Sequence, residues 1–464
     1  MSNPVSNPIT PQSLVEHALA TSTSEQCVVI VNDTTSANLR WANNTLTTNG
    51  VMHSIDVTVI AFQGAGNASV SGTASSPDQV RALVESADRA AALADAAEDR
   101  AELVSGDAAR DWSDPPGDTS IQVFANFASQ LGEAFSRAEA EKRILYGFVF
   151  HEVTTTYLGS STGLRLRHVQ PTGHYGCTAK NTELTNSAWV GGATRDFKDV
   201  DGTRMASDLA TRLSWGERRL DLPAGRYDTV LPPTAVADVL IDAYWSAGAR
   251  TSADGQTIFS KPGGGTRIGE QMVNAGVRMH SDPSYAGLEC APFVITGGSS
   301  DRSSVYDNGL PISPTDWISD GRLTALMQTR HTADLMGQPN TPAIDNLVLD
   351  IEGSSGTTAD LVAGMDDGLL LTCMWYIREV DPQTMLLTGL TRDGVYRVEG
   401  GEITGAVNNF RFNESPIDLL RRYTHASETE LSFSREWGDE FFSRTATPAL
   451  RVPDFNMSSV SQAL

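Results

Sequence analysis

The sequence predicts an α+β protein: an N-terminal mixed α/β domain followed by a C-terminal domain built on a large antiparallel β-sheet. Three observations carry this expectation. The 464 residues exceed what one hydrophobic core ordinarily serves. Helical and strand periods intermingle over the first 140 or so residues, whereas from Ile144 onward the apolar period shifts toward two. In the last third, strand-like runs follow one another through tight turns, a pattern that demands antiparallel pairing. The Pro-punctuated stretch "LDLPAGRYDTVLPP" separates the two regimes and sets the expected domains at 1–225 and 226–464.

The elements follow in order. Leu14, Val15, Ala18 and Leu19 share one helical face, and Cys27–Val31 is an apolar strand; two more strands are expected near Asn38–Ala42 and Asp56–Phe62. Ser76, Pro77 and Asp78 supply an N-cap, a first-turn proline and an early acid, launching a helix that buries Val80, Leu83, Val84 and Ala87. The polar stretch 105–120, with Pro115, Pro116 and Gly117, reads as a loop before a helix carrying Phe124, Phe127, Leu131 and Phe135. "GFVFHEVTTTYL" and "GLRLRHV" read as strands joined by a "GSSTG" turn. After Pro232, Pro233 and Thr234, residues 236–250 form a short helix whose Val236, Val239, Leu240, Ala243 and Ala247 face the core. Asp238 and Asp242 project from another side, four residues apart. A helix is expected around Trp317–Leu335, then strands in "NLVLDIEG", "GLLLTCMWYI", "TMLLTGLT" and "VYRVEGGEITGAV", the last turning at Gly400–Gly401.

Charge and cysteine content narrow the function. With 34 basic and 57 acidic residues the net charge is −23, a field that repels phosphate backbones and anionic membranes, so neither is an expected partner. Cys27, Cys177, Cys290 and Cys373 are far apart and form no CxxC, which suits reduced thiols in a cytoplasm. No basic leader precedes an apolar run at the N-terminus, and nowhere do about 18 apolar residues stand together as a membrane span requires.

The motifs that hint at chemistry fail on context. "GSSTG" has the letters of a nucleophile elbow around Ser161, but a strand follows where the elbow needs a helix. "HEVTT", beginning at His151, lacks the second histidine of HExxH. His168, His174 and Cys177 have spacings a zinc site uses, without a closed ligand set. "KPGGGTRIG" places Lys261 before its glycines, the reverse of a phosphate-binding loop. Asp238 and Asp242 are accounted for by a favourable helix dipole more readily than by a cation.

The order of features over most of the chain resembles the TldD/PmbA family, the peptidase-related proteins also called modulators of DNA gyrase. The resemblance is carried by "LRWANNTLTTNG" with "IDVTVIAF", "TTTYLGSSTG", "YDTVLPPTAVADVLI", "VYDNGLPISPTDWISDGRLTALMQTRHTADLMG" and "GLLLTCMWYIREVDPQTMLLTGLTRDGVYRVEGGEI". It implies a heterodimer in which one subunit carries HExxxH on a central helix, with a C-terminal cysteine completing a zinc site, and a related subunit lacks it. Here the window Leu240–Ala247 reads "LIDAYWSA", and the final stretch 447–464 contains no cysteine. The resemblance therefore implies the PmbA (TldE) type: no catalytic residue and no metal in this chain, zinc in the partner, and extended peptide as substrate. The expected peptide contacts are Tyr306, Asp307, Gly309, Trp375 and Tyr376; the strands from Gly368 to Ile377 and Thr384 to Leu390 are the candidates for main-chain addition, and Trp375 and Tyr376, on the first of them, read equally as core aromatics of a sheet. The alternatives from the residues alone are a stand-alone hydrolase using Ser161 or the His/Cys loop, and a peptide-binding scaffold without a protease partner.

Overall fold

The computed structural model describes residues 9–392, 394–438 and 444–461. The first half is one antiparallel sheet in the order β3-β2-β1-β4-β5-β6, made of β1 (Gln26–Ala42), β2 (Thr45–Gln63), β3 (Gly66–Thr73), β4 (Arg143–Ser160), β5 (Arg165–Asn181) and β6 (Ser187–Thr194). Its helices are α1 (Pro11–Thr21), α2 (Pro77–Ala91), α3 (Ala125–Ala140) and α4 (Gly202–Trp215). Caps appear where the sequence places them: Ser76 accepts from the Gln79 amide ahead of the proline that opens α2.

Where separate strands are expected near Cys27–Val31 and Asn38–Ala42, β1 runs unbroken through the polar middle between them. The reason is local. Asp33 meets His53 across the hairpin at 2.9 Å, and Thr35 Oγ1 accepts from the Thr119 amide of the loop laid over it. β1 and β2 close at Asn43–Asn44, both at positive φ (51° and 58°), as a two-residue hairpin requires. Alternation assigns the faces. Val29 and Val31 pack under α1 and α2, and Ala37, Leu39 and Trp41 under α3 and α4. Val28 and Ile30, pointing the other way, meet Phe293, Val305 and Tyr306 from the second half.

That second half contributes β7 (Arg219–Leu220), β8 (Gly225–Leu231), α5 (Pro233–Trp245), α6 (Ala249–Ala253), β9 (Val277–Ser281), β10 (Thr315–Ser319), β11 (Arg322–Leu323), α7 (Arg330–Met336), β12 (Leu347–Ile351), α8 (Thr358–Ala363) and β13 (Asp367–Leu371). It continues with β14 (Met374–Asp381), β15 (Leu386–Thr391), β16 (Val395–Glu399), β17 (Glu402–Val407), β18 (Phe410–Glu414), α9 (Pro416–Arg422), β19 (His425–Ala426), β20 (Glu430–Ser432), β21 (Thr445–Thr447) and β22 (Leu450–Val460). The large sheet runs β14-β15-β18-β22-β8-β13-β16-β17-β7, with β19 beside β22. A smaller one runs β11-β10-β9-β12-β21-β20. Most pairings are antiparallel, so the expected α+β class holds, with β8–β13, β7–β17 and β12–β21 as parallel exceptions.

Two local expectations give way. The helix expected over Trp317–Leu335 is instead the β10–β11 hairpin, turning at Asp320–Gly321, and only Arg330–Met336 is helical. Trp317 is wholly buried on that hairpin and donates to Ser281 Oγ at 2.9 Å, a tertiary contact that outweighs local periodicity. "GLLLTCMWYI" splits into β13 in mid-sheet and β14 at its edge; the Thr372 amide still bonds Gly394 O in the β13–β16 register, and from Met374 the chain pairs with β15 instead. The turn at Gly400–Gly401 forms as expected, both residues at positive φ.

α5 lies between the two sheets and is apolar on nearly every side. Its core face contains the expected Val236, Val239, Leu240 and Ala243, to which Ile241 and Tyr244 add a second buried face; the helix expected to reach residue 250 ends at Trp245, so Ala247 is buried just beyond it, before α6. Tyr244 is locked there: its hydroxyl donates to Ile344 O and accepts from Ile344 N, both at 2.7 Å.

Candidate functional site

Two features converge on α5. At its flank lies a strap, residues 433–437, and at its N-terminus lies a cavity between the two halves of the chain.

The strap uses the two acids singled out in the sequence. Asp238 is 1% exposed; its Oδ1 accepts from Ser434 Oγ (2.7 Å) and the Glu436 amide (2.9 Å), and its main-chain carbonyl accepts from Trp437 Nε1 (3.0 Å). Trp437 stands edge-on to Trp245, ring centres 5.2 Å apart. The second oxygens of Asp238 and Asp242 are buried with no hydrogen-bond partner. Burial therefore pushes both carboxyls up to about 7, and Glu379, Asp238 and Glu436 add repulsion at Asp242. Burial raises Glu379 and Glu436 as well. Arg378, 3.6 Å from Glu436, and Arg435 oppose these shifts only in part, so burial keeps Asp238 and Asp242 partly neutral near pH 7.

The outer face of the strap ties the halves together. Phe433 stacks on His174 of β5 (5.9 Å, 20°), which stacks in turn near Phe150 of β4 (5.4 Å, 28°). Arg435 lies over both Trp189 of β6 (5.0 Å) and Trp375 of β14 (4.5 Å), cation–π contacts across the seam. Burial lowers the His174 imidazole to about 4, which keeps this stack neutral.

The cavity has a volume of about 940 Å³. One wall is β5, β6 and α4; the other is the start of α5, α8, β17 and β20. Both β6 and β20 end their sheets. Trp189 O, on the outer side of β6, accepts from Arg212 Nη1, so by alternation the main-chain groups of Gly191 and Ala193 also point away from β5 into the cavity. α5 opens with Pro232 and Pro233, which carry no N–H, and no side chain caps it. Two arginines at the seam are paired: Arg195 with Glu289, and Arg444 with Asp345, Arg444 also donating to Thr172 Oγ1 at 3.1 Å.

The residues expected to touch peptide fall in two places. Tyr306 is 4% exposed with its ring 4.9 Å from Phe62, and Asp307 binds the Arg330 guanidinium (2.7 Å) and the Arg330 amide at the start of α7. Gly309, at φ 88°, turns the chain where a Cβ would strike Leu164. Tyr306 and Gly309 thus pack against the first half, while Asp307 braces α7 within the second. Trp375 and Tyr376 lie on β14, Trp375 under Arg435 and Tyr376 more than half exposed at φ 53°. Of the strands singled out for main-chain addition, β13 and β15 are paired on both sides, and only β14 is an edge. Glu436 Oε1 already accepts from the Ile377 amide on that edge.

The other motifs resolve structurally. Ser161 Oγ accepts from the Cys27 amide, and the Ser161 amide donates to Cys27 O, tying the β4–β5 turn to β1. His151 bonds Thr119 Oγ1 and Arg195 O, both at 2.7 Å. His168 and His174 are six residues apart along β5, about 20 Å, and Cys177 faces the opposite side beneath α3 and α4. The residues at α5 do not fit a catalytic zinc: among the described residues no three His, Cys, Asp or Glu side chains converge closely enough to hold a metal. Nothing in the periodicity pointed to the strap or the cavity. "FSREW" carries only an aromatic and arginine density, and its partners lie as much as 259 positions away in the sequence, as the Phe433–His174 stack shows.

Comparison with known proteins places the chain in a family. The model of the PmbA/TldA metallopeptidase C-terminal domain matches residues 224–459, and that of PmbA/TldA metallopeptidase domain 1 matches residues 27–94. No curated protein matches the sequence. The fold is similar to that of TldE from Thermococcus kodakarensis, at 13% identity and a TM-score of 0.78, covering 96% of this chain and 99% of that one. It is also similar to two proteins described as modulators of DNA gyrase. One, from Thermotoga maritima, has 16% identity and a TM-score of 0.73, with coverage of 93% and 95%. The other, from Bacteroides thetaiotaomicron, has 13% identity and a TM-score of 0.74, with coverage of 97% and 98%.

Proposed function

The chain belongs to the PmbA/TldA metallopeptidase family, and from that premise we propose that it is the zinc-less subunit of a heterodimeric peptidase, holding extended peptide for a partner subunit that carries HExxxH. The observation that carries this reading is the cavity bordered by two unpaired strand edges, β6 and β20, at the start of α5. An extended peptide laid along Gly191 and Ala193 gains main-chain hydrogen bonds that ignore its side chains, which suits substrates of varied sequence. Gly191 and Gly192 have no side chain because the Trp189 and Tyr175 rings fill the space where a Cβ would stand. The α5 window Leu240–Ala247 has neither histidine nor glutamate, so in this reading the zinc and its activated water belong to the partner. Four buried free cysteines, and no described helix long and apolar enough to cross a membrane, fit action in a cytoplasm.

The test is reconstitution. The purified chain should bind unstructured peptide without cleaving it, and cleavage should appear on adding a family member with HExxxH and stop with chelator. Ala193→Pro removes an outward amide that no described residue uses, and should weaken peptide binding while leaving the fold intact. Cleavage by the chain alone in the presence of chelator would overturn the proposal.

A further inference from the structure

We propose that the free edge of β2 between Thr45 and Ile55 docks a second copy of this chain, added antiparallel about a two-fold axis. β3 pairs only with Asp56–Gln63, and the last main-chain bond on that side is Ala74 N to Ile55 O. β2 continues beside β1 as far as Thr45, an overhang of roughly 35 Å at about 3.3 Å per residue, with no further strand beside it among the described residues. Since Ile55 O points outward, alternation turns the main-chain groups of His53, Val51 and Asn49 outward too. Leu46, Val51 and Met52 are 50%, 54% and 68% exposed along this stretch.

Exposed edges are ordinarily guarded by lysine, proline or an inward charge. Here Trp41 to Ile55 contains no Asp, Glu, Lys, Arg or Pro, in a chain with 57 acidic and 34 basic residues. A net charge of −23 makes two copies repel, and with screening over about 8 Å an uncharged edge is where close approach costs least. The edge is also self-complementary. A two-fold axis through Val51 sets Val51 against its counterpart, Asn49 against His53, and Met52 against Gly50, which leaves room for it. A strand pair of this length buries less than the about 1,600 Å² of a standard interface, so the dimer is reversible and concentration-dependent.

Sedimentation equilibrium of the chain alone, from low to high micromolar, reads the outcome. The expected mass rises from 49.7 kDa toward twice that value. Val51→Pro removes an outward amide, and Val51→Lys places two ammonium groups face to face; both should stay at monomer mass with unchanged far-UV circular dichroism. If Val51→Pro perturbs folding, Val51→Lys alone decides. A wild-type chain that stays monomeric throughout, or a dimer that survives Val51→Lys, overturns the proposal. Because the assay contains one polypeptide, neither result bears on the peptidase partner.

Discussion

Asp242→Asn isolates the electrostatics of the α5 acids. In the unfolded chain Asp242 ionises near 3.8; in the folded protein, burial and then the neighbouring Glu379, Asp238 and Glu436 push it up to about 7. Between these values the folded state holds the proton more tightly. The stability that the protonated group contributes is therefore complete below pH 3.8 and lost as pH rises through 7. With one pKa unit equal to 1.36 kcal/mol, the loss across that window is about 4 kcal/mol. An asparagine at 242 does not titrate, so the variant gains on the wild type by about 4 kcal/mol as pH goes from 4 to 8. For a cooperative unit of about 240 residues this corresponds to roughly 8 °C in melting midpoint. The assay is thermal unfolding across pH 4–8 followed by tryptophan fluorescence, to which Trp245 and Trp437 beside α5 contribute. Melting curves for the two proteins that stay a constant distance apart over this range would refute the reasoning.

Other outcomes follow from the same contacts. His174 runs the opposite way: burial lowers it from 6.5 to about 4, so its contribution is present above pH 6.5 and lost as pH falls toward 4. His174→Phe, which keeps the stack between Phe150 and Phe433, should therefore gain on the wild type over that acid range, read in the same melts. Gly147→Ala would place a Cβ 2.3 Å from Gly176 O and 2.5 Å from the Trp41 ring, and should cost at least about 2 kcal/mol in urea unfolding. Ser161→Ala removes the acceptor for the Cys27 amide, costing about 1 kcal/mol, and leaves peptide cleavage by the reconstituted pair unchanged. Elemental analysis of the purified subunit should find no stoichiometric zinc, and Asp242→Ala should not alter that result.

Elements with a strong local period were legible from sequence. α1, α2, α3 and the core face of α5 repeat apolar residues every three or four positions, and the hairpin at Gly400–Gly401 declares itself by residues that tolerate positive φ. The same local reasoning misassigned Trp317–Leu335, where burial of one tryptophan against Ser281 decided for a hairpin. It also read Asp238 as a helix-dipole acid, when Asp238 is the anchor of a strap almost two hundred residues away.

Composition and motif spacing by themselves determined that the chain carries a net charge of −23, that its α5 window has neither histidine nor glutamate, and that its second half is strand-rich. These are properties of residues and their near neighbours, which the chain carries whether folded or not. Only the tertiary structure decided that Tyr306 and Gly309 pack against the first half, that Arg435 covers Trp375, and that β6 and β20 meet at one cavity. Those outcomes depend on which distant segments pack together. Burial of apolar faces drives that choice without direction, so the long-range partners of a side chain are set by the assembled sheets and not by its own stretch of sequence.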